Sequence, residues 1–525
     1  MATTFLFNFT KNMKTRTLII FLFFIQIFYG QLYEREWGTM IPIYNKPVKP
    51  FSPIRNITNI PYVIEVNPKT GNLYVISEYR DEIIEYNRKD GTSKLIYKIP
   101  EADGKSFINN LKFDSNNNIV FCGITLNPNL ATTSIYSSKP INISSSKGYS
   151  FIAKINLKGN LKWLSYFYEI PRNTLSITID KKDNIYVLNK RSKTDVVLVS
   201  AFQQKADVNS NIPYQDVITK LNKKGKHTWS TFYSQDNSSI NAIIASDKGI
   251  YIYGTHLSNN PSSSYFGTSD SFMETTSEKT NNTSVVFLSK FGFDGERIWS
   301  TYFGDQKSEM SYPINNIGAN YSNITVINDD VYFITSHNNN RNLSQKLNSL
   351  ATDSTFLDKP LFSTENYTLS KFSGNGDRKW TTYLHIPGFL FKSIDNSKLF
   401  ISTTTHAYND GNHFLDTQGF FQSKKQGKQD IYTYTLSLDG KKMEYETFYG
   451  YEGNDTGFTI PTINGYYTIG YATNYFHKES SFATDKATLN EFTHIGEDIY
   501  VGNFLGYFSN IKRKCQKTNI YKHEQ

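Results

Sequence analysis

Cysteine is scarce in this chain, with two residues among 525, so at most one disulfide can form. Cys122 follows the apolar run 119–121, and this position predicts a buried small side chain rather than a reactive thiol. A bridge between Cys122 and Cys515 remains open if the two ends of the chain meet, because an exported protein can form disulfides.

Long hydrophobic runs are missing after residue 30, so no later segment is expected to cross a membrane. Before that point Lys11, Lys14 and Arg16 precede an apolar run of about 12 residues at 18–29, which is typical of a signal peptide. We therefore predict a signal peptide over 1–30, with Met13 as an alternative start. The protein is expected to be secreted, periplasmic or displayed on the cell surface.

A strong charge of either sign is also lacking. The net charge is +9, and residues 1–30 hold three basic and no acidic side chains, so the mature chain carries +6. An excess this mild indicates a solvated basic surface, and we expect no nucleic-acid partner. The densest basic cluster lies at 512–514, within a segment 512–525 that we interpret as a basic C-terminal tail.

Familiar catalytic and metal-binding motifs are absent. The chain has no His-Glu-x-x-His, Cys-x-x-Cys, phosphate-binding loop or Gly-x-Ser-x-Gly. His406 and His413 flank Asn-Asp-Gly at 409–411, and a polar loop explains them better than a metal site. The run 114–118 has part of a calcium-loop pattern but lacks its Gly and closing Glu, so we interpret it as a strand turn. We assign no catalytic, cofactor-binding or metal-binding residue and expect no cofactor.

What the chain does contain is a repeated phrase: an apolar strand, a turn with Gly, and a second strand that carries Trp. Clear copies occupy 150–168, 216–233, 285–303, 367–384 and 430–449, and a weaker copy with Leu95 at the Trp position lies at 83–97. A last, partial copy begins at 497. The Lys-Gly, Asp-Gly and Asn-Gly pairs supply the positive φ that tight hairpins need. Trp163, Trp229, Trp299 and Trp380 recur once per copy, so we expect them to pack between repeats.

A second half accompanies each phrase, a polar turn followed by an apolar strand. Its copies are 71–77, 117–123, 183–189, 249–254, 329–335, 397–403 and 464–470. Their spacing and the Trp spacing both stay near 66 to 81 residues after the first step, and a fixed period of this kind indicates a circular repeat architecture.

Seven front hairpins and seven back halves predict an all-β protein, a single seven-bladed β-propeller of four-stranded antiparallel blades. The chain opens with a back half at 62–78 and ends with a front half from 497. We therefore expect these two halves to pair and close the ring. In this scheme 31–59 is a Pro-containing N-terminal segment that precedes the propeller, and the propeller covers 60–511.

Long polar links separate most back strands from the next front strand, at 124–149, 190–214, 255–284, 336–366, 404–429 and 471–497. Connections of one type leave a propeller on one face, so we expect these links to crowd one end of the disc. Most carry a Phe that we expect to hold the link against the blade edge: Phe202, Phe272, Phe356, Phe421 and Phe482.

The phrases FLSKFGFDGERIWSTYFGD (287–305) and FLDTQGFFQSKKQGKQDIYTYTLSLDG (414–440) resemble the SBBP repeat, the seven-bladed propeller repeat of bacterial exported proteins. The resemblance covers roughly 60–510 and implies an exported binding or scaffold protein. The Ala-x-Asp lead-in and vicinal Cys pair of quinone-dependent propellers are missing. We predict a non-enzymatic monomer that binds a glycan or protein through its long loops; the alternative is a propeller glycoside hydrolase or polysaccharide lyase.

Overall fold

The computed structural model describes most of the repeat region and part of the N-terminal segment. The described residues are 33–41, 64–77, 81–100, 106–132, 136–137, 139, 148–167, 176–193, 199, 202–207, 210, 212–257, 263–276, 284–304, 311–312, 323–338, 350–360, 365–405, 421–422, 425–451, 453–474, 493–496 and 499–510. The predicted signal peptide and basic tail lie outside these ranges.

These residues form β-strands and, within the ranges just given, no helix. In chain order the strands are β1 (Tyr33–Ile41), β2 (Ile64–Val66), β3 (Leu73–Ile76), β4 (Glu82–Tyr86), β5 (Ser93–Lys98), β6 (Phe107–Phe113), β7 (Ile119–Thr125), β8 (Tyr149–Ile155), β9 (Leu161–Tyr166), β10 (Ser176–Ile179), β11 (Ile185–Ser192), β12 (Tyr214–Leu221), β13 (His227–Phe232), β14 (Asn237–Ala245), β15 (Ile250–Leu257), β16 (Ser284–Phe291), β17 (Arg297–Phe303), β18 (Ser311–Tyr312), β19 (Ile324–Ile327), β20 (Asp330–Asn338), β21 (Glu365–Phe372), β22 (Arg378–Leu384), β23 (Phe389–Lys392), β24 (Lys398–Thr404), β25 (Ile431–Ser437), β26 (Met443–Tyr449), β27 (Asn454–Pro461), β28 (Gly465–Asn474), β29 (Thr493–Gly496) and β30 (Ile499–Asn510).

The strands build seven antiparallel sheets, each with a path of four strands, and the predicted seven-bladed propeller is confirmed. Blade 1 consists of β2–β5, blade 2 of β6–β9, blade 3 of β10–β13, blade 4 of β14–β17, blade 5 of β18–β22, blade 6 of β23–β26, and blade 7 of β27–β30 with β1. In blade 5 the first-strand position is shared by β18 and β19, which both pair with β20, and in blade 7 the additional short strand β29 pairs with β30. The predicted back strands are the second strands of the blades, and the five clear hairpins are the third and fourth strands of blades 2–6.

The ring closes through the two ends of the chain, as expected, but not through the predicted segments. Residues 62–78 were expected to pair with the segment from 497, and this was wrong, because β2 and β3 pair with each other and with β4 inside blade 1. β30 pairs instead with β1, in a ladder that runs from Tyr33 opposite Asn510 to Ile41 opposite Asn503. The outer strand of blade 7 therefore comes from the segment 31–59.

β1 occupies the same place as the Trp strands of the other blades. Trp37 is buried, and its Nε1–H donates a 2.8 Å hydrogen bond to the carbonyl of Arg88, in the hairpin turn of blade 1. Gly91 of that turn lies against the indole ring so closely that a Cβ would clash with it, and its φ of 74° is one that glycine adopts freely. The junction between last and first blade thus repeats the junctions between consecutive blades.

The core lies between neighbouring blades rather than inside each one. The buried clusters combine residues of adjacent sheets. Tyr74 of blade 1 lies in one cluster with Phe121 of blade 2, and Val331 of blade 5 lies in another with Leu288 of blade 4. Both faces of most second strands are buried, so these strands are almost continuously apolar. The blades stabilise one another, as repeat units do when none can bury its faces alone.

Candidate functional site

The two faces of the propeller differ sharply in the length of their connections. On one face the turns between first and second strands, and between third and fourth strands, contain two to six residues. On the other face six of the connections between second and third strands exceed twenty residues, at 126–148, 193–213, 258–283, 339–364, 405–430 and 475–498. We call these the short-turn face and the long-connection face.

The long connections do more than crowd one face, because their described parts run along the outer strands of the blades. Backbone hydrogen bonds join Thr132 to Leu164, Val199 to Ser230, Thr268 to Ser300, Thr352 to Thr381 and Gln422 to Phe448, with distances of 2.8–3.0 Å. An outer strand would otherwise present unpaired backbone groups. The links therefore leave the disc on one face, as expected, and their described parts continue over the blade edges.

The phenylalanines of the long connections hold them in place, as predicted, and they reach across to the next blade. Phe202 packs against Tyr233 of its own blade and Phe291 of blade 4. Phe272 does the same with Phe303 and Phe372.

Phe356 packs into the cluster between blades 5 and 6, and Phe421 contacts both Tyr449 and Phe508. In blade 2 this role falls to Tyr136, which stacks on Phe167 and lies beside His227 of blade 3. Tyr136 was not predicted for this role, because the aromatic residue shared by the other links is Phe. Phe482 lies outside the described residues.

The innermost strand of every blade contributes to a central cavity of about 560 Å³. Its lining is apolar or carries Ser, Thr and Asn, with Glu65, Lys112 and Lys392 as its charged side chains. Lys112 Nζ lies 2.6 Å from Glu65 Oε2, and Lys392 Nζ donates to the carbonyl of Val326 at 3.1 Å. Burial lowers the pKa of Lys392. Among the described residues, this lining contains no pair of carboxylates or histidines of the kind that acid–base chemistry uses.

A recurring set of side chains joins each blade to the next on the short-turn face. In blade 4, Lys290 Nζ and Trp299 Nε1 both donate to the carbonyl of Gly374 in the turn of blade 5, at 3.0 and 2.9 Å. In blade 3, Lys220 Nζ and Trp229 Nε1 share the carbonyl of Phe293, at 2.8 and 3.1 Å.

Trp380 of blade 5 donates to the carbonyl of Leu438 at 3.2 Å. We call this arrangement the interblade clamp. Its presence at successive junctions confirms that the repeated Trp residues pack between blades.

The clamp lysine also needs a counter-charge, because it is buried. Lys290 Nζ lies 2.8 Å from Asp329 Oδ2, and Lys154 Nζ of blade 2 lies 2.7 Å from Asp114 Oδ2. Burial by itself would raise the pKa of Asp114, but the bonds from Lys154 and Asn118 outweigh it and lower the pKa. Asp329 lies in a turn of the next blade, so its pair joins blades 4 and 5, whereas Asp114 lies in a turn of blade 2 itself.

Charge on the short-turn face is divided between two sectors. The turns of blades 1–3 (67–72, 87–92, 114–118, 156–160, 180–184 and 222–226) carry nine Lys or Arg and four Asp residues. The turns of blades 4–6 (246–249, 292–296, 328–329, 373–377, 393–397 and 438–442) carry three Lys and seven Asp or Glu residues. The mild overall charge therefore conceals a basic sector and an acidic sector, whose net charges nearly cancel.

The remaining candidates from the sequence have plain structural roles or lie outside the described residues. Asp114 Oδ1 accepts the backbone N–H of Asn118 at 2.7 Å, so the run 114–118 is a strand turn, as predicted. Cys122 is fully buried between blades 2 and 3, and Cys515 lies outside the described ranges. His406 and His413 also lie outside them.

Two structural searches gave negative results for the described part of the chain. No group of three or more His, Cys, Asp or Glu side chains there is close enough to hold a metal ion. Nor does that part contain a helix with the length and apolarity needed to span a membrane.

Comparison with known proteins gives weak structural likenesses. No protein-family model matches the chain, and no curated protein matches it. Among solved structures, the Dos1 propeller is similar with 9% identity and a TM-score of 0.36, covering 92% of this chain and 96% of its own. The WD40 domain of SCAP from fission yeast has 9% identity, a TM-score of 0.33 and coverages of 87% and 97%. Hydrazine synthase from Kuenenia stuttgartiensis has 8% identity, a TM-score of 0.37 and coverages of 75% and 80%. Likenesses this weak carry no argument about activity.

Proposed function

We propose that this protein is an exported, non-enzymatic scaffold that binds a macromolecule, a glycan or a protein, through its long-connection face. The observation that carries the proposal is the asymmetry of the two faces, with two to six residues per turn on one and six connections above twenty residues on the other. Binding residues concentrate on loops that a rigid scaffold positions. The closed ring of blades, with its interblade clamps, is such a scaffold.

The lining of the central cavity supports binding over hydrolysis. A glycoside hydrolase needs two carboxyl groups that face each other across the substrate. The cavity brings one carboxylate, Glu65, and that group is paired with Lys112 at 2.6 Å. The hydrolase or lyase alternative therefore has no acid–base pair in this lining.

Export and membership of the SBBP repeat family complete the proposal. The basic and apolar composition of 1–30 supports a signal peptide, and the repeated Trp hairpins support the SBBP resemblance. Fractionation of cells that express the full chain tests export: the mature protein, cut near Gly30, is expected outside the cytoplasm. Retention of an uncut chain in the cytoplasm would contradict it.

The binding proposal is tested with the purified mature chain on a glycan array and, in parallel, by pull-down from the native extracellular fraction. The comparator is a variant in which residues 406–420 are replaced by a short Gly-Ser linker, with thermal unfolding as the check on folding. Signals that the native chain gives and the shortened variant loses support the proposal. Turnover of a polysaccharide by the native chain, abolished by substitution of a single carboxylate, would instead establish the enzyme alternative.

A further inference from the structure

One of the five tryptophans at the blade junctions lacks the indole hydrogen bond that the other four make within the described residues. Trp37, Trp229, Trp299 and Trp380 each donate their indole N–H to a carbonyl in the turn of the next blade. Trp163, at the same place in blade 2, is 7% exposed, and its Nε1–H bonds no atom of the described residues. Buried donors are nearly always paired, so an orphan at one of five equivalent positions calls for an explanation.

The orphaned indole borders a cavity of about 540 Å³ at the junction of blades 2 and 3. Lys162 of blade 2 and Lys223, Lys224 and Lys226 of blade 3 are exposed around it. Asn116, Asn118 and Thr132 add amide and hydroxyl groups to its wall. A volume of this size is in the range of small-molecule sites and exceeds what one ion needs.

The electrostatic balance of the cavity is positive. Of its two carboxylates, Asp114 is paired with the buried Lys154, and Asp183 accepts hydrogen bonds from Ser115 and Asn116. The four exposed lysines have no carboxylate of the described residues within ion-pair distance. Five lysines against two aspartates give the cavity lining a net charge of 5 − 2 = +3, and a ligand there would also meet one buried neutral donor.

We propose that this cavity is an oxyanion site, which takes a phosphate or sulfate group, free or carried on a sugar-sized molecule. An oxygen of the anion accepts the Trp163 Nε1–H, and Lys224 and Lys226 supply the opposing charge. The indole N–H is closed to bulk water in the absence of ligand, so binding requires the side chains around it to rearrange, and exposed side chains do so rapidly. The site lies on the short-turn face, opposite the surface of the proposed function, and does not depend on it.

The indole signals of the tryptophans give a direct test with an internal control. The native chain, labelled with 15N-tryptophan, is titrated at 150 mM salt with inorganic phosphate, inorganic sulfate, glucose 6-phosphate, glucose 6-sulfate and glucose. The Trp163→Phe variant identifies the Trp163 signal. We expect phosphate or sulfate compounds to move that signal strongly and the other four little, because those four N–H groups are already bonded within the protein, and we expect glucose to move none.

The charge contribution is tested with Lys224→Gln/Lys226→Gln, whose side chains are exposed and whose loss should not affect folding. We expect about a tenfold weaker affinity, because charge-assisted bonds are lost. The matched control is Lys441→Gln/Lys442→Gln in the equivalent turn of blade 6, which should leave the affinity unchanged. The variant with residues 406–420 shortened should also bind normally, which separates this site from the proposed function.

Equal affinity for inorganic and sugar-borne anions would assign the site to a free anion, and tighter binding of the sugar-borne forms would assign it to a sugar derivative; either supports the proposal. It would be overturned by an unmoved Trp163 signal with all the anions. A response to glucose equal to that with glucose 6-phosphate, or equal losses of affinity in the two lysine variants, would also overturn it.

Discussion

The junction of blades 4 and 5 and the junction of blades 2 and 3 are built from the same repeat, but they differ in the hydrogen bonds to the turn carbonyl. In the first, Lys290 and Trp299 converge on one carbonyl, that of Gly374. In the second, Lys154 reaches the equivalent carbonyl of Lys223 at 3.2 Å, and Trp163 does not. Both indoles nevertheless stack on a turn glycine, Gly376 in one case and Gly225 in the other.

The difference teaches that packing and hydrogen bonding are separable parts of the clamp. Ring stacking is kept at both junctions. Each buried lysine is also paired with an aspartate, Asp329 of the next blade at one junction and Asp114 of the lysine's own blade at the other. Only the indole N–H is released, at the junction whose turn reads Asn-Lys-Lys-Gly-Lys rather than Ser-Gly-Asn-Gly-Asp. A repeat can thus provide a binding group at one junction without loss of the packing that holds the ring.

Removal of the whole indole should lower the free energy of unfolding more than any other change considered, and by nearly the same amount at both junctions. Trp299→Ala and Trp163→Ala each delete a buried ring, so we expect each to lower the free energy of unfolding by about 3–5 kcal/mol. Chemical denaturation of the two variants beside the native chain measures this. A cost below about 1 kcal/mol for Trp163→Ala would show that this ring does not pack as the other does.

Substitution of the buried lysines should have the next largest effect on the free energy of unfolding, and we expect similar losses at the two junctions. Lys290→Met leaves Asp329 without its close cation, and Lys154→Met does the same to Asp114. Breaking one partner of a buried pair costs about 3–5 kcal/mol, and we expect the lower end because both aspartates keep other hydrogen bonds. Exposed Lys158→Met in the turn of blade 2 is the matched control, with no expected change. Unequal costs for the two buried lysines would contradict the view that a pair within a blade and a pair between blades stabilise the ring equally.

The cost of Lys154→Met should also depend on pH. In the native chain the pKa of Asp114 is lowered, so its contribution is present above the unfolded-state pKa of about 3.9 and is lost as the pH falls through the folded-state value. Without Lys154, burial dominates and the pKa of Asp114 should rise, so the variant regains stability as the carboxyl becomes protonated. We therefore expect the difference in unfolding free energy between variant and native chain to shrink from pH 7 to pH 4, by about 1.4 kcal/mol for each unit by which the variant's pKa lies above pH 4. A difference that stays constant with pH would contradict this.

Much of this comparison could be anticipated from the sequence, and the reasons are physical. Trp recurs at fixed distance from a turn glycine, and so large an apolar side chain leaves a clear periodic mark. The outer strand of blade 7 was missed although Arg35-Glu-Trp37-Gly-Thr39 matches the Arg-x-Trp-x-Thr of 297–301. That copy lies at the other end of the chain from its hairpin partner, so a search for hairpins could not find it.

Other features could not be predicted from the sequence, because no residue type specifies them. The edge pairing of the long connections uses backbone groups, for instance between Thr268 and Ser300, and every residue has those groups. The missing indole bond of Trp163 could not be predicted, because the residue at this position is the same Trp as at the bonded junctions. The charge sectors could have been found by sorting the turns by blade, but only after the strand order was known.

The smallest and sharpest test replaces only the indole N–H. Trp299→Phe and Trp163→Phe remove similar ring volume, but the first also breaks the bond to Gly374, and the second removes a donor that has no acceptor among the described residues. We expect Trp299→Phe to lower the free energy of unfolding by about 1–2 kcal/mol more than Trp163→Phe does. The first substitution removes a hydrogen bond that is formed, whereas the second removes a buried donor that has no acceptor among the described residues. Denaturant titrations in phosphate-free and sulfate-free buffer measure the difference. Equal costs would mean that Trp163 finds an acceptor in solution, and the two junctions would then be the same after all.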